Sequence, residues 1–145
     1  MPQVKRSALV PFSAQQMFAL VNDIEQYPRF MSGCKRARIV SQSGTEMVGE
    51  LELSKAGISQ RFTTRNKLDP PNSIDMQLVE GNFSSFHARW NFIDLGDQGS
   101  KLGLDMDFEF SSGLIDAAAR ALFNSTANNL VDALVGRANE VYGFE

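Results

Sequence analysis

The sequence predicts an α+β fold in which an antiparallel sheet of about seven strands wraps around a long C-terminal helix. Two observations lead to this prediction. Strand-like segments with alternating side chains fill the middle of the chain, and roughly 30 residues without proline follow them. Two short helices are expected directly after the first strand. The length of 145 residues suits one domain, so residues 1–145 are predicted to share one core.

The first 30 residues read as a strand followed by two short helical pieces. Residues 3–10 form the strand, which Pro11 ends. Ser13 is a good N-cap, and Gln16 stands three positions later, where a capping box places a glutamine or glutamate. Tyr27-Pro28 interrupts the helical region, because proline disfavours helical backbone in the residue before it.

Six further segments alternate between apolar and polar side chains, as strands with one buried face do. They are residues 35–42, 46–54, 58–68, 73–80, 86–95 and 101–110. Short turns such as Ser43-Gly44 join them, which favours antiparallel pairing. One face of such a sheet is apolar and has to be covered by another element.

The cover is the segment from Leu114 to Tyr142, which is rich in alanine and leucine and predicts one long helix. Its apolar residues fall on two sides, so we expect a kink or a change of packing partner near residues 124–129. Small side chains at residues 117–119 and 121 face a sheet of large ones. We therefore expect a cavity between helix and sheet.

Three polar side chains, Gln60, Thr64 and Asn66, lie on the apolar face of the predicted sheet. Buried amides and hydroxyls need partners, which water or the polar head of a hydrophobic small molecule would supply. The alternative is that these groups lie at the open end of the sheet and meet solvent. The predicted ligand site consists of Phe30, Gln60, Phe62, Thr64, Asn66, Met76, Phe86, Trp90, Phe108, Ala118 and Leu122.

Charge is distributed unevenly along the chain. Residues 1–67 carry a net charge of +5, with ten Lys/Arg and five Asp/Glu, whereas residues 68–145 carry −8. Either the halves pair with each other in the fold, or the basic half meets an anionic partner. Candidate contacts to a membrane surface or to RNA are Arg29, Lys35, Arg36, Arg38 and Lys55. Binding to DNA is not expected.

Signals of catalysis are scarce in the sequence. It has no phosphate-binding glycine loop, no zinc-ligand spacing and no nucleophile elbow. Its one histidine, His87, alternates onto the charged face of the sheet. We therefore expect no catalytic residues, no metal and no covalent cofactor. One cysteine, Cys34, and no apolar run of about 20 residues favour the cytoplasm, with peripheral contact to the inner face of the membrane left open.

Several segments resemble one known family. They are LVNDIEQYPRFMSGC at residues 20–34, SKAGISQRFTTRN at 54–66, LVEGNF at 78–83 and DFEF at 107–110. Together they resemble the coenzyme Q-binding proteins of the START-like superfamily, and especially the bacterial branch of ribosome association toxins. The resemblance implies a helix-grip fold and a non-enzymatic function. One departure is Ser32-Gly33, where quinone-binding relatives often have Pro-Trp before the cysteine.

The resemblance implies two functions. The first hypothesis is a carrier that binds ubiquinone or a similar polyprenyl lipid between sheet and C-terminal helix, supporting respiratory electron transport. The alternative is the toxin of a toxin–antitoxin pair, which binds the ribosome and blocks association of its subunits. A third hypothesis, an enzyme of the cyclase kind found on related folds, requires enclosed acid–base residues. In the helix-grip fold, Phe30 is expected to serve as a lid at the cavity mouth, and Tyr27 as a plug of the core.

Overall fold

A computed structural model describes residues 3–55, 57–111 and 117–143. The strands are β1 (Gln3–Val10), β2 (Cys34–Ser43), β3 (Glu46–Lys55), β4 (Ile58–Asp69), β5 (Ser73–Glu80), β6 (Phe83–Asp94) and β7 (Ser100–Phe110). The α-helices are α1 (Ala14–Asn22) and α2 (Ala117–Tyr142), with 3-10 helices at Ile24–Arg29 and Gly96–Gln98. The predicted start of the long helix at Leu114 lies outside the described residues.

The seven strands form one sheet in the order β1-β7-β6-β5-β4-β3-β2, with every neighbouring pair antiparallel. Tight turns connect β2 through β7 in sequence, and β1 reaches the far edge by pairing with β7. The predicted fold class is therefore confirmed, including the two short helices after β1. These helices close one end of the sheet, because the 3-10 helix Ile24–Arg29 packs on β2 and α1 packs on β6 and β7.

A capping box fixes the start of α1, as the sequence predicts. The Ser13 side chain accepts a hydrogen bond from the backbone N–H of Gln16 at 3.1 Å. The Gln16 side chain accepts one from the backbone N–H of Ser13 at 2.9 Å. Both bonds satisfy N–H groups that a helix terminus otherwise leaves without partners. The helix then buries Met17, Leu20 and Val21 against the sheet.

Alternation along the strands sends apolar side chains to the concave face of the sheet. In β7, for example, Leu102, Leu104 and Phe108 are almost fully buried. A register shift in β6 between Phe83 and Ser85 breaks the alternation once. A bulge of this kind inserts one residue, so that Phe83 and Phe86 both face the core. This places one more aromatic ring under α2 than strict alternation would.

Helix α2 is continuous and has one buried stripe, which corrects the prediction of two. Its buried residues are Ala119, Leu122, Phe123, Ala127, Val131, Leu134 and Ala138, which recur every three or four residues apart from the adjacent pair Leu122 and Phe123. Such spacing keeps them on one side of a helix. The expectation near residues 124–129 was a kink or a change of packing partner, and the helix runs through these residues without interruption. The packing partner does change along it, since Phe123 meets sheet aromatics and Tyr142 donates a hydrogen bond to the carbonyl of Gln16.

The alanines near the start of α2 do not line the interior cavity under the helix, although Ala118 and Ala121 line an open cleft beside it. Ala117, Ala118 and Ala121 are exposed, and only Ala119 of this group faces the sheet. The rotation of the helix follows from Leu122 and Phe123, whose larger apolar surfaces gain more by burial. The expected cavity exists, but it lies further along the helix.

Candidate functional site

An interior cavity of about 60 Å³ lies between the concave face of the sheet, the 3-10 helix Ile24–Arg29 and the middle of α2. Ligand sites for small molecules usually measure several hundred Å³, so this cavity would have to widen around one. Its wall is almost entirely apolar. The lining residues are Val21, Asn22, Ile24, Tyr27, Met31, Gly49, Leu51, Leu53, Phe62, Thr64, Asn66, Ile74, Met76, Phe86, Trp90, Met106, Phe123, Thr126, Ala127 and Leu130.

Six of the predicted ligand-site residues line this cavity. They are Phe62, Thr64, Asn66, Met76, Phe86 and Trp90. All six lie on β4, β5 or β6, where the two-residue period of a strand determines which side chains face inward. The alternation in the sequence was therefore sufficient to predict that these six residues share one wall.

Phe108 lies outside the cavity wall, in an aromatic cluster beneath the first half of α2. Its ring centroid is 4.8 Å from that of Phe123 and 6.1 Å from that of Phe83. The cluster consists of Phe62, Phe83, Phe86, Phe108, Phe110 and Phe123. Edge-to-face rings fill the space at this end of the sheet, which is why the cavity stays small.

The predicted ligand site lacked the cavity residues that come from the helices and from the turn before β2. Tyr27, Thr126 and Leu130 on helices and Met31 in the turn all contribute to the wall. The spacing of residues 123, 126, 127 and 130 along α2 is the helical signal that identifies this face. It was missed because the polar run around it was interpreted as a break between two stripes.

The polar groups at the cavity differ in their hydrogen bonding. The Thr64 hydroxyl donates to Oδ1 of Asn66 at 2.8 Å, and both side chains are buried. Asn22 lines the cavity too, and its Oδ1 has no hydrogen-bond partner among the described residues. The predicted site residue Gln60 does not line this cavity; it is 4% exposed, and within the described part of the chain neither Oε1 nor Nε2 of its amide makes a hydrogen bond. Buried polar atoms without partners are rare in proteins, and they indicate a place where a polar group of another molecule would be stabilised.

A larger, open cleft of about 720 Å³ lies beside the first half of α2. Three of the predicted ligand-site residues line it, namely Phe30, Ala118 and Leu122, together with the predicted surface cation Lys55. Opposite walls come from α2 and from the turn before β2. Met31 and Thr126 line both the cleft and the interior cavity.

The segment from Tyr27 to Cys34 connects these two spaces. Tyr27 is buried, and its hydroxyl donates a hydrogen bond to the carbonyl of Val21. Burial holds the pKa of this phenol well above its usual range. Phe30 is half-buried, lies edge-on to Tyr27 at 5.6 Å and carries the Arg137 guanidinium over its ring at 5.4 Å. Tyr27 thus packs as part of the core, whereas Phe30 lies at the cleft.

Cys34 begins β2 and is buried, with its thiol 3.6 Å from the carbonyl oxygen of Arg36. Burial raises the pKa of the thiol from its ordinary value of 9.0 to about 11. At neutral pH the thiol therefore stays protonated, and a protonated thiol is a poor nucleophile.

An arginine groove of about 480 Å³ lies on the opposite, convex face of the sheet. Its wall consists of Pro28, Lys35, Arg36, Ala37, Arg38, Glu50, Glu52 and Arg61. It contains three of the five predicted surface cations. Arg29 is exposed on the neighbouring 3-10 helix, and Lys55 lies at the cleft instead.

The arginines of the groove project above the carboxylates that pair with them. Arg38 donates to Glu50 at 2.7 Å, Arg36 lies 3.8 Å from Glu52, and Arg61 lies 3.9 Å from Glu50. The arginine side chains are 63–75% exposed, whereas the two glutamates are only 17–18% exposed. Partial pairing thus orders the guanidinium groups while their outer edges face solvent.

His87 belongs to a separate group on the convex face. Its Nε2 lies 2.6 Å from Oδ1 of Asp75, and the other carboxylate oxygen of Asp75, Oδ2, lies 3.6 Å from the Arg89 guanidinium. All three side chains are at least partly exposed, and β5 and β6 place them side by side. Within the ranges that the structure describes, no cluster of potential metal ligands forms, and no helix is long and apolar enough to span a membrane.

Comparison with known proteins identifies relatives of two kinds. The family described as polyketide cyclase / dehydrase and lipid transport matches residues 10–135. The ribosome association toxin RatA of Vibrio cholerae is 48% identical over 143 residues, which cover 99% of each chain. The mitochondrial coenzyme Q-binding protein COQ10 homolog B of Xenopus laevis is 25% identical, over 97% of this chain and 59% of that protein.

Solved structures share the fold at lower sequence identity. A START superfamily protein from Mycobacterium smegmatis superposes with a TM-score of 0.77 at 24% identity, covering 96% of this chain and 98% of that one. The Zhui aromatase/cyclase from Streptomyces sp. R1128 gives a TM-score of 0.80 at 20% identity, covering 96% and 94%. The family match and the relative from Vibrio cholerae both extend along most of the chain. It therefore belongs to the polyketide cyclase / dehydrase and lipid transport family, in the group of the ribosome association toxins.

Proposed function

We propose that this protein associates with the ribosome and that the arginine groove is the surface that contacts ribosomal RNA. The observation that carries the proposal is the exposure of Arg36, Arg38 and Arg61 above carboxylates that are mostly covered. The 48% identity with a protein named as a ribosome association toxin supports it. This reverses the order of the two hypotheses from sequence, because the toxin-named relative is far more similar than the coenzyme Q-binding one.

Guanidinium groups suit this role because they bind phosphate oxygens through two parallel N–H donors. Lys35 at the rim and Arg29 nearby would add phosphate contacts without reading sequence. A ribosomal partner would also place the protein in the cytoplasm, as expected from sequence.

Co-sedimentation with purified ribosomal subunits tests this function. The parent protein should pellet with at least one subunit, and the double variant Arg36→Ala, Arg38→Ala should lose roughly tenfold or more in affinity because two phosphate contacts disappear. The control is Arg89→Ala, Lys101→Ala, which removes two cations from the same sheet face outside the groove.

An equal loss of subunit affinity in both double variants would mean that binding depends only on the net charge of the protein. A parent protein that fails to bind either subunit would reject the ribosomal function itself. Both outcomes are read from the amount of protein that pellets with the subunits in this one assay.

The interior cavity favours a second function, the non-enzymatic binding of a hydrophobic ligand such as ubiquinone. Its support is an almost entirely apolar wall that includes the hydrogen-bonded pair Thr64 and Asn66. The similarity to a coenzyme Q-binding protein points the same way. The described wall carries no carboxylate and no imidazole, which favours binding over the acid–base chemistry of a cyclase.

Organic extraction of the natively expressed protein, followed by mass spectrometry, tests ligand binding. We expect a stoichiometric lipid, and we expect Trp90→Ala to lose most of it because that ring forms part of the cavity wall. Phe18→Ala is the matched control, since Phe18 is buried outside the cavity wall and against Phe92. An empty parent protein, still empty after incubation with quinone-containing vesicles, would reject this function.

A further inference from the structure

An apolar patch lies at one corner of the convex sheet face, at the opposite end of the sheet from the arginine groove. Leu9 on β1 and Ile93 on β6 are 73% and 54% exposed. Both are register partners of Lys101 on β7, so the lysine stands between them. Single exposed aliphatic residues are ordinary on protein surfaces, whereas neighbouring ones bordered by polar groups are typical of an interaction site.

A trough of about 690 Å³ runs beside this patch. Lys101 and Ile93 line it, so the patch forms one of its banks. The second bank is the row that contains Lys5 and Asp105. The trough shares no lining residue with the arginine groove or the interior cavity. Its floor is a row of three register partners on β1, β7 and β6, namely Ser7, Gly103 and Asn91.

Gly103 makes the floor of the trough low. Among the described residues, a Cβ placed on Gly103 would meet nothing nearer than the carbonyl oxygen of Arg6, at 4.0 Å. Glycine inside a strand lowers its stability and often marks a place where another backbone approaches closely. No described residue uses that space, so it is open to a second molecule.

The dimensions suit an extended polypeptide segment. The banks are four residues apart along β7, from Lys101 to Asp105, which is about 13 Å at the rise of a strand. The trough crosses three strands, a length of about 10 Å that roughly three extended residues span. On its floor, Oδ1 of Asn91 accepts a hydrogen bond from Nε of Arg89 at 3.3 Å. The NH2 group of Asn91 donates to no described residue, which leaves it for a backbone carbonyl.

The trough has one surplus positive charge. Three cations and two carboxylates line it, namely Lys5, Arg6, Lys101, Asp94 and Asp105. Lys5 lies 3.9 Å from Asp105, and the Asp94 carboxylate accepts hydrogen bonds from two backbone N–H groups. Lys101 forms no ion pair with any residue that the structure describes. An ammonium group between two aliphatic side chains is complementary to a carboxylate that is flanked by apolar groups.

We propose that this trough is a docking site for an extended segment of a partner protein, in which one Asp or Glu is flanked by apolar residues. The carboxylate pairs with Lys101, the apolar side chains cover Leu9 and Ile93, and the backbone of the segment lies over Gly103. The site goes beyond the two proposed functions, and it can be occupied while RNA fills the arginine groove.

Selection from a random-peptide phage library on the immobilised parent protein tests the site. We expect the enriched peptides to share an Asp or Glu beside an apolar residue. A synthetic, fluorescein-labelled copy then gives affinities by fluorescence polarisation. Gly103→Val should weaken binding about tenfold, because its side chain occupies the place of the peptide backbone. That variant should fold, since valine suits a strand and its Cβ has space. Ser41→Val, at an exposed position on β2, is the matched control.

Reversal of the charge at Lys101 tests the electrostatic part of the proposal. Lys101→Glu should bind the enriched peptide about tenfold less tightly, because like charges then face each other. A peptide with lysine in place of its acidic residue should bind Lys101→Glu more tightly than it binds the parent. Such a rescue requires direct contact between the two side chains, and a loss of folding does not produce it.

Several outcomes would overturn the docking site. One is equal affinity of the enriched peptide for the parent and for Gly103→Val, and another is an equal loss in Ser41→Val. Enrichment of peptides without an acidic residue, no enrichment, or no rescue by the lysine peptide would also overturn it. Neither measurement uses ribosomes or lipids, so rejection of either proposed function leaves this test intact.

Discussion

At the scale of single residues, Gln60 stands out because its burial lowers stability. Its amide is buried opposite Leu53 and has no hydrogen bond to any described residue. An unsatisfied buried polar group typically lowers stability by about 1–3 kcal/mol. A buried residue that lowers stability is typical of a functional position.

Replacing Gln60 with leucine should therefore stabilise the ligand-free protein. We expect the free energy of unfolding to rise by about 1 kcal/mol, because the apolar side chain has no hydrogen bonds to lose. Urea denaturation measures this directly. Asn66→Leu is the contrasting variant, and it should destabilise because the Thr64 hydroxyl loses its acceptor. Destabilisation by Gln60→Leu would mean that its amide is satisfied in solution.

The thiol of Cys34 should react slowly with disulfide reagents in the folded protein. At pH 8, a pKa of about 11 instead of 9.0 leaves roughly a hundredfold less thiolate, and the thiolate is the nucleophile. Because the folded-state pKa is raised, the native state keeps a proton that the unfolded chain releases. Stability from this group is therefore present below about pH 9 and is lost as pH rises toward 11.

Reaction with Ellman's reagent before and after denaturation measures the protection of this thiol. Equal rates in the two states at pH 8 would contradict the buried, protonated thiol. The pH dependence of the native rate provides the second check, since it should keep rising above pH 9.

At the scale of elements, β3 and β4 carry out two tasks on opposite faces. Their inward residues line the cavity, and their outward residues form the arginine groove together with β2. A two-residue period makes this division possible within one sheet. The outward register also explains the charge pattern, since Arg36 lies opposite Glu52 and Arg38 lies opposite Glu50.

Neutralising Glu50 should strengthen RNA binding if the groove contacts phosphates. Glu50 pairs with both Arg38 and Arg61, so Glu50→Gln adds one net positive charge and frees two guanidinium groups. We expect roughly a five- to tenfold gain in ribosome affinity at low salt, since about 1 kcal/mol is typical for one exposed charge. The ribosome-bound fraction in a co-sedimentation assay measures this gain in affinity.

Glu46→Gln is the matched control for this gain. Glu46 pairs with Arg65 on the same sheet face, but it lies outside the groove. A comparable gain in both variants would indicate an effect of overall charge. A loss in Glu50→Gln would show that pairing with Glu50 is needed to position the arginines.

The sequence was a better guide to strands than to helix faces. All seven strands were predictable because their alternation is regular and Gly or Pro marks the turns. The buried face of α2 was not predictable, because alanine and asparagine give only a weak contrast in hydrophobicity between the sides of the helix. Which side is buried depended on the three-dimensional fit of Phe123 into the aromatic cluster, and no local pattern shows that fit.

At the scale of the whole molecule, the segment from Pro28 to Arg36 connects both proposed functions. Pro28, Lys35 and Arg36 line the arginine groove, whereas Met31 lines both the cavity and the cleft. A ligand that displaces Met31 would move a segment whose ends form the groove.

Ligand binding and ribosome binding should therefore be coupled. We expect a saturating concentration of methyl cis-parinarate, a fluorescent chain with an ester head, to change the affinity of the protein for ribosomes about fivefold. Ribosomes should change its affinity for methyl cis-parinarate by the same factor. Paired titrations measure both. Unequal factors would point to a direct interaction of the probe with the ribosome, and factors of one would mean that the two sites act independently.

The central claim is that ribosome association depends on the arginine groove, and its salt dependence tests that claim most directly. Affinity for purified ribosomal subunits should fall steeply as salt rises, and the slope of log affinity against log salt should be smaller in Arg36→Ala, Arg38→Ala by about the two lost phosphate contacts. The slope of Arg89→Ala, Lys101→Ala should match that of the parent. An unchanged slope in the groove variant would contradict the account, because the groove would then make no contact with phosphate.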